Sequence, residues 1–171
     1  MFDKFGEFDS WEELNLAAEG QKAEGDKTAL MELAKENGID EEDALDFFEG
    51  YSGSLCTPLS AAIGKLELEE KELNPQDIMR DWIDYLKSVV QQEYIQYMEQ
   101  KTDNLPICLG VRKKDKTIKG CIGQILKWSF KNMKEVDPDI KKAVGVTQNC
   151  KLGIPGQLTV RKLIRDYYLG R

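Results

Sequence analysis

Histidine is absent from the 171 residues. Its absence removes the commonest general base at neutral pH, the commonest transition-metal ligand and every nucleophile dyad or triad that depends on imidazole. The four cysteines, Cys56, Cys108, Cys121 and Cys150, form no CxxC pair. Neither the spacing of a zinc knuckle nor the density of a secreted disulfide scaffold is present, so reduced structural thiols are expected. The N-terminal MFDKFGEFDSWEE has no basic stretch leading into an apolar run, and no uncharged apolar segment approaches the roughly 20 residues that cross a bilayer. These absences predict a cytoplasmic protein with no cofactor, no metal and no membrane partner. No internal repeat or low-complexity linker interrupts the chain.

What is present is charge, unevenly placed. A hydrophobic fraction of 41% with 32% charged residues is that of an ordinary globular chain. The net charge of -7 conceals a sharp polarity: residues 1–100 hold 8 cationic and 25 anionic side chains, whereas residues 101–171 hold 16 and 6. Such asymmetry bears on partners and association rather than on fold. It suggests an acidic helical region, 1–101, and a basic helical region, 102–171, divided near the Lys101–Pro106 segment and either distinct or sharing one core.

The periodicity predicts an all-α fold of six to eight helices in one compact or bilobed bundle, with room for one short β-strand pair near Ile107. Ser10 and Glu13 match a capping box ahead of Trp11, Leu14, Ala17 and Ala18. Phe2, Phe5 and Phe8 precede this helix and either fold back on it or reach a partner. Asp26 caps a helix carrying Leu30, Leu33 and Ala34, stopped by Asn37 and Gly38, and Asp40 opens one carrying Ala44, Phe47 and Phe48. Thr57-Pro58 and Asn74-Pro75 read as two further starts, the second opening a long scaffold helix with Ile78, Trp82, Tyr85, Leu86 and Val89 on its apolar stripe. Pro106 and Gly110 break the helical pattern, and Ile107 to Val111 reads as a short strand. The following helix is expected to turn Ile122, Ile125, Leu126, Phe130 and Met133 inward. Asp137-Pro138 starts a short helix through Val144. The last helix begins near Gly156 and carries Leu158, Leu163, Ile164, Tyr167 and Tyr168.

No catalytic residue is expected. Asp77, Asp81 and Asp84 lie along one helical flank, a spacing that can hold a divalent ion but is as well explained by solvated carboxylates pairing with neighbouring cations. Candidate sites are therefore binding surfaces. Arg112, Lys113, Lys114, Lys116 and Lys119 form a dense basic turn, supplemented by Lys127, Lys131, Lys151, Arg161, Lys162 and Arg165. Many cations on one face are what a phosphate backbone requires. Trp128, Tyr167 and Tyr168 are the aromatics able to stack on bases. On the acidic side, Glu41, Glu42, Asp43, Asp46 and Glu49 form a patch suited to a basic protein groove. That patch lacks the central glycine of a calcium loop. A helix-turn-helix is disfavoured, because some ten residues separate Gly145 from the last helix where about three or four are usual.

The phrases FDKFGEFDSWEELNLAAEG, LAKENGID, KGCIGQILKWSFKN, KLGIPG and IRDYYLG together resemble uncharacterised small proteins of phages and conjugative elements from anaerobic Gram-positive bacteria. That context includes anti-CRISPR inhibitors of Cas9. The resemblance implies a mobile-element accessory protein that acts by binding, with a CRISPR-associated nuclease or its guide-RNA complex as the expected partner. The alternative is a nucleic-acid-binding accessory of conjugation, replication or transcription that contacts RNA or DNA through the C-terminal half.

Overall fold

The computed structural model describes residues 3–170, apart from the side chains of Asp77 and Ile78. Expectations for Phe2, Asp77 and Ile78 thus lie outside the described residues. Four helices in order, α1 (Trp11–Ala23), α2 (Lys27–Glu36), α3 (Glu41–Glu49) and α4 (Pro58–Leu73), lead into the long α5 (Asp77–Met98). There follow α6 (Cys108–Val111), α7 (Ile118–Lys131), β1 (Lys134–Glu135), α8 (Pro138–Ala143), β2 (Lys151–Leu152) and α9 (Gln157–Leu169).

Local chemistry sets most of these boundaries. The Ser10 hydroxyl accepts the Glu13 amide at 3.2 Å, Asp26 accepts the Ala29 amide at 2.9 Å and Thr117 accepts the Gly120 amide at 3.1 Å. Thr57 and Ser60 cap α4 reciprocally: Thr57 Oγ1 accepts the Ser60 amide and Ser60 Oγ accepts the Thr57 amide. Asn74, expected to open α5, instead closes α4 in the left-handed region at φ 47°. Asparagine tolerates that conformation and is a common helix terminator.

The helix count is a correction: nine helices stand among the described residues, not six to eight. The additional one is α6, where Ile107 to Val111 reads as a strand. A short apolar run does not reveal its period, and no strand lies beside it to take its backbone groups. They are satisfied locally instead, with the Gly110 amide donating to the Ile107 carbonyl at 2.8 Å. The β-pair forms elsewhere, antiparallel, with Lys134 opposite Leu152 and Glu135 opposite Lys151.

Two apolar clusters fill the interior. The first gathers Leu14, Ala18, Leu30, Leu33, Phe47, Leu55 and Ala61, with Phe5 and Phe8 folded against it. The second gathers Ala62 and Leu66 from α4 with Ile83, Leu86 and Val90 of α5, Ile107 just before α6, Val111 of α6, Ile122 and Ile125 of α7, and Val160, Ile164 and Tyr168 of α9. The clusters meet on α4, and the second draws on residues from both sides of Lys101. Close backbone contact locks the α2–α3 turn onto α4, since a Cβ on either Gly38 or Gly64 would overlap the other's carbonyl oxygen. This crossing lines a cavity of about 790 Å³ between α2 and α4.

Cys56, Cys108 and Cys121 are buried and free, and burial pushes each thiol up to about 12. Cys150 is half-buried. Only the thiolate reacts with an alkylating reagent. At pH 8 the native protein should therefore be labelled at Cys150 while the other three thiols react only after unfolding, as mass spectrometry of the modified peptides would show.

Candidate functional site

The five residues of the predicted basic turn part company in the folded chain. Lys113, Lys114 and Lys119 are exposed. Lys116 is half-buried, 3.5 Å from Asp115 and 5.0 Å from the centre of the Tyr167 ring. Arg112 is only 1% exposed and cannot contact a phosphate backbone from there. It follows Val111 at the end of α6, whose apolar face packs into the second cluster, so the chain carries Arg112 inward with it.

Arg112 belongs to a buried polar seam. Its Nη2 donates to Asn37 Oδ1 at 2.6 Å, while Nε and Nη1 have no acceptor among the described residues. Burial pushes this guanidinium below its ordinary value, against the opposing influence of Glu7 and Glu69. Beside it, the ammonium of Lys65, also 1% exposed, donates to the Lys113 carbonyl at 2.8 Å and pairs with Glu7 at 2.6 Å and Glu69 at 3.7 Å. Glu69 Oε2 accepts the Ile118 amide at 2.6 Å. Burial raises the Glu69 carboxyl, and the Ile118 amide and Lys65 oppose that shift. The seam is structural: every charge in it is directed at another part of the chain.

The remaining predicted cations divide in the same way. On α9, Lys162 pairs with Asp166 at 2.5 Å, and Arg161 and Arg165 both bind Glu93 of α5. Lys127 and Lys131 stay exposed on α7, and Lys151 on β2. None of these three has an ion-pair partner among the described residues. The aromatics are used internally. Tyr168 is 1% exposed, the Tyr167 hydroxyl accepts the Thr117 amide at 2.9 Å, and Trp128 is half-buried.

The surface that the sequence did not foretell is the segment from Leu126 to Leu158. No residue between Ile125 and Val160 belongs to either apolar cluster. Leu126, Phe130 and Met133, expected inward, are exposed, Phe130 at 68%. So are Ile140, Val144, Val146 and Leu152, with Ile154 at 77% and Leu158 at 86%. The reason lies in the end of α7. Its buried stripe of Ile118, Cys121, Ile122 and Ile125 meets α5 and α9, but the chain then continues as the short ladder and α8, and its later apolar side chains join neither apolar cluster. Gly153 holds this arm back against α7, because a Cβ there would overlap the Ser129 carbonyl oxygen. Lysines 127, 131, 134, 141, 142 and 151 are interleaved with the apolar groups. The sequence signal was the set of helix breakers that follows α7: Pro138, Gly145, Gly153, Pro155 and Gly156.

Glu41, Glu42, Asp43, Asp46 and Glu49 are all exposed on α3 and make no ion pair among the described residues, so the acidic patch is open to solvent. Asp81 is exposed, and Asp84 stands 3.6 Å from Lys87. No helix among the described residues is long and apolar enough to cross a membrane. Searches by family, by curated relatives and by solved fold find no match for the chain.

The two neighbouring cations 112 and 113 should separate cleanly on mutation. Arg112→Ala leaves Asn37 Oδ1 unpaired inside the protein and opens a void, and should cost about 3 kcal/mol by urea denaturation. Lys113→Ala should stay within about 0.5 kcal/mol, as is usual for an exposed side chain.

Proposed function

We propose that the chain is a mobile-element accessory protein that acts by binding, and that the arm from Leu126 to Leu158 is the surface that engages a protein partner. The observation that supports this reading is the exposure of large apolar side chains on a segment that contributes nothing to the buried clusters. Monomeric proteins seldom present so much apolar surface in one segment without a partner for it. The interleaved lysines define that partner's chemistry: an acidic surface carrying apolar side chains of its own. Phe130, Ile154 and Leu158 are the natural anchors, since full burial of each side chain contributes about 1.5–3 kcal/mol.

The resemblance to phage and conjugative-element proteins puts a Cas9-type RNA-guided nuclease first among partners to test, with inhibition by stoichiometric occupancy as the mechanism. The open acidic face of α3 supports the same reading, as carboxylates complementary to a cationic nucleic-acid channel. In co-purification and DNA-cleavage assays, with and without guide RNA, the full chain should associate with the nuclease and reduce cleavage. A triple Phe130→Ser, Ile154→Ser, Leu158→Ser variant should retain its helical circular dichroism and lose at least about tenfold in affinity. No association at low salt, together with undiminished cleavage, would eliminate the nuclease as target. Full affinity in the triple variant would eliminate the arm as the surface.

A second reading rests on Lys113, Lys114, Lys119, Lys127 and Lys131, which are exposed and have no carboxylate partner among the described residues. If they contact a phosphate backbone, the logarithm of affinity should fall linearly with the logarithm of salt, by about 0.9 for each duplex phosphate neutralised. Replacing Lys113 and Lys114 by Ala should then flatten the slope measured by fluorescence anisotropy by roughly one to two units. A slope identical to that of the unmodified chain would remove this turn from any such interface.

A further inference from the structure

Glu93 is a buried charge that neither the seam nor the arm uses. It lies on α5, 4% exposed, and both of its carboxylate oxygens are engaged. Arg161 Nε donates to Oε1 at 3.1 Å, and Arg165 Nη1 donates to Oε2. The two arginines stand four residues apart on α9, so one helix face brings both guanidinium groups to a single carboxylate.

That arrangement leaves donors over. A guanidinium carries five N–H groups in a fixed plane. Arg165 directs one more at the Leu105 carbonyl, at 3.4 Å. The two terminal nitrogens of Arg161 and Nε of Arg165 retain no acceptor among the described residues. Both arginines and Glu93 line a cavity of about 180 Å³ whose other walls are Gln96, Thr102 and Asn104. Thr102 Oγ1 already accepts the Asn104 amide at 3.1 Å, so its own proton is available to a ligand.

The lining decides what such a cavity accepts. Among the described residues no apolar side chain lines it, which disfavours a hydrophobic ligand, and two arginines against one glutamate leave a net positive charge, which disfavours a metal ion. Glu93 holds the guanidinium planes in place before any ligand arrives, so little side-chain freedom remains to be lost on binding. Donors converge from two guanidinium groups, a hydroxyl and two side-chain amides, from different elements of the fold. A tetrahedral oxyanion with several acceptor oxygens matches that set better than a planar carboxylate, which two parallel donors of a single arginine would satisfy.

We propose that the Arg161–Arg165–Thr102 cavity is a phosphate-binding site, taking the phosphate group of a nucleotide or of a nucleic-acid strand. This goes beyond the docking role of the arm and does not depend on it.

The test uses the full chain and four probes: inorganic phosphate, a nucleoside 5′-monophosphate, and a single-stranded oligonucleotide with and without a 5′-phosphate. Binding is read from the arginine Nε–Hε resonances in nuclear magnetic resonance spectra at constant ionic strength. The Arg165 signal is expected to shift saturably with phosphate. Arg161→Lys keeps a cation near Glu93 but loses the fork, and should weaken binding about tenfold. Thr102→Val removes one hydroxyl from an intermediate position and should weaken it about fivefold. An oligonucleotide that binds only when 5′-phosphorylated identifies a terminal phosphate as the ligand, and binding that grows with strand length regardless of the end identifies the backbone. Absence of a saturable shift for all four probes at about 10 mM phosphate groups overturns the proposal, as does unchanged affinity in Thr102→Val with its thermal stability intact.

Discussion

A single ammonium group, that of Lys65 in the middle of α4, ties together three distant parts of the chain. At 1% exposure it is almost wholly withdrawn from water, and stripping an ion of its hydration costs several kcal/mol unless partners replace the lost water. Those partners are Glu7 from the N-terminal segment, Glu69 one turn along α4 and the Lys113 carbonyl from the turn before α7. Burying the ammonium therefore requires all three to be in place. Glu69 passes the constraint onward by accepting the Ile118 amide, which joins the start of α7 to α4. The two apolar clusters lie on either side of this seam, with Ala61 in one and Ala62 in the other.

The seam also separates structural charge from charge free to act on partners. Two cations near it are engaged within the chain: Arg112 reaches Asn37, and Lys116 sits over Tyr167. Between α5 and α9, Glu93 collects Arg161 and Arg165. Five basic side chains of residues 102–171, Arg112, Lys116, Arg161, Lys162 and Arg165, are thus turned toward oxygen atoms of the same chain. The charge left over lies on the lysines of the 113–119 turn, the outer face of α7 and the arm, where it accompanies exposed apolar groups. Apolar area contributes affinity in proportion to what is buried, while the lysines select against cationic partners and speed encounter with acidic ones. The separation also leaves the arm freer to vary, since changes there do not disturb the seam or either apolar cluster.

The local signals were legible wherever one residue type has one strong conformational use. Ser10, Asp26 and Thr57 cap the helices expected of them, and the helical period placed Leu30, Leu33, Leu86, Ile122 and Ile125 in the interior. The acidic patch on α3 was readable too, because five carboxylates in nine residues cannot all be buried. Reading failed where a residue has two uses. Asn74 before a proline resembles a helix start, yet it ends α4. Ile107 to Val111 suits a strand or a buried turn of helix equally well. Leu126, Phe130 and Met133 continue the spacing of α7, but they stay exposed and join neither apolar cluster.

The sequence alone determined the helical class, the main caps, the uneven charge and the reduced state expected of the cysteines, because each follows from residue type and near-neighbour spacing. Only the tertiary structure decided which charges are available to a partner. Arg112 and Lys113 are adjacent and both cationic, but one lies within the polar seam and the other in solvent. Whether a side chain is buried depends on what packs against it from elsewhere in the chain, and the partners of Lys65, Arg112 and Glu93 lie between 4 and 75 residues away. Spacing along a helix specifies which side chains share a face. It does not specify whether anything covers that face.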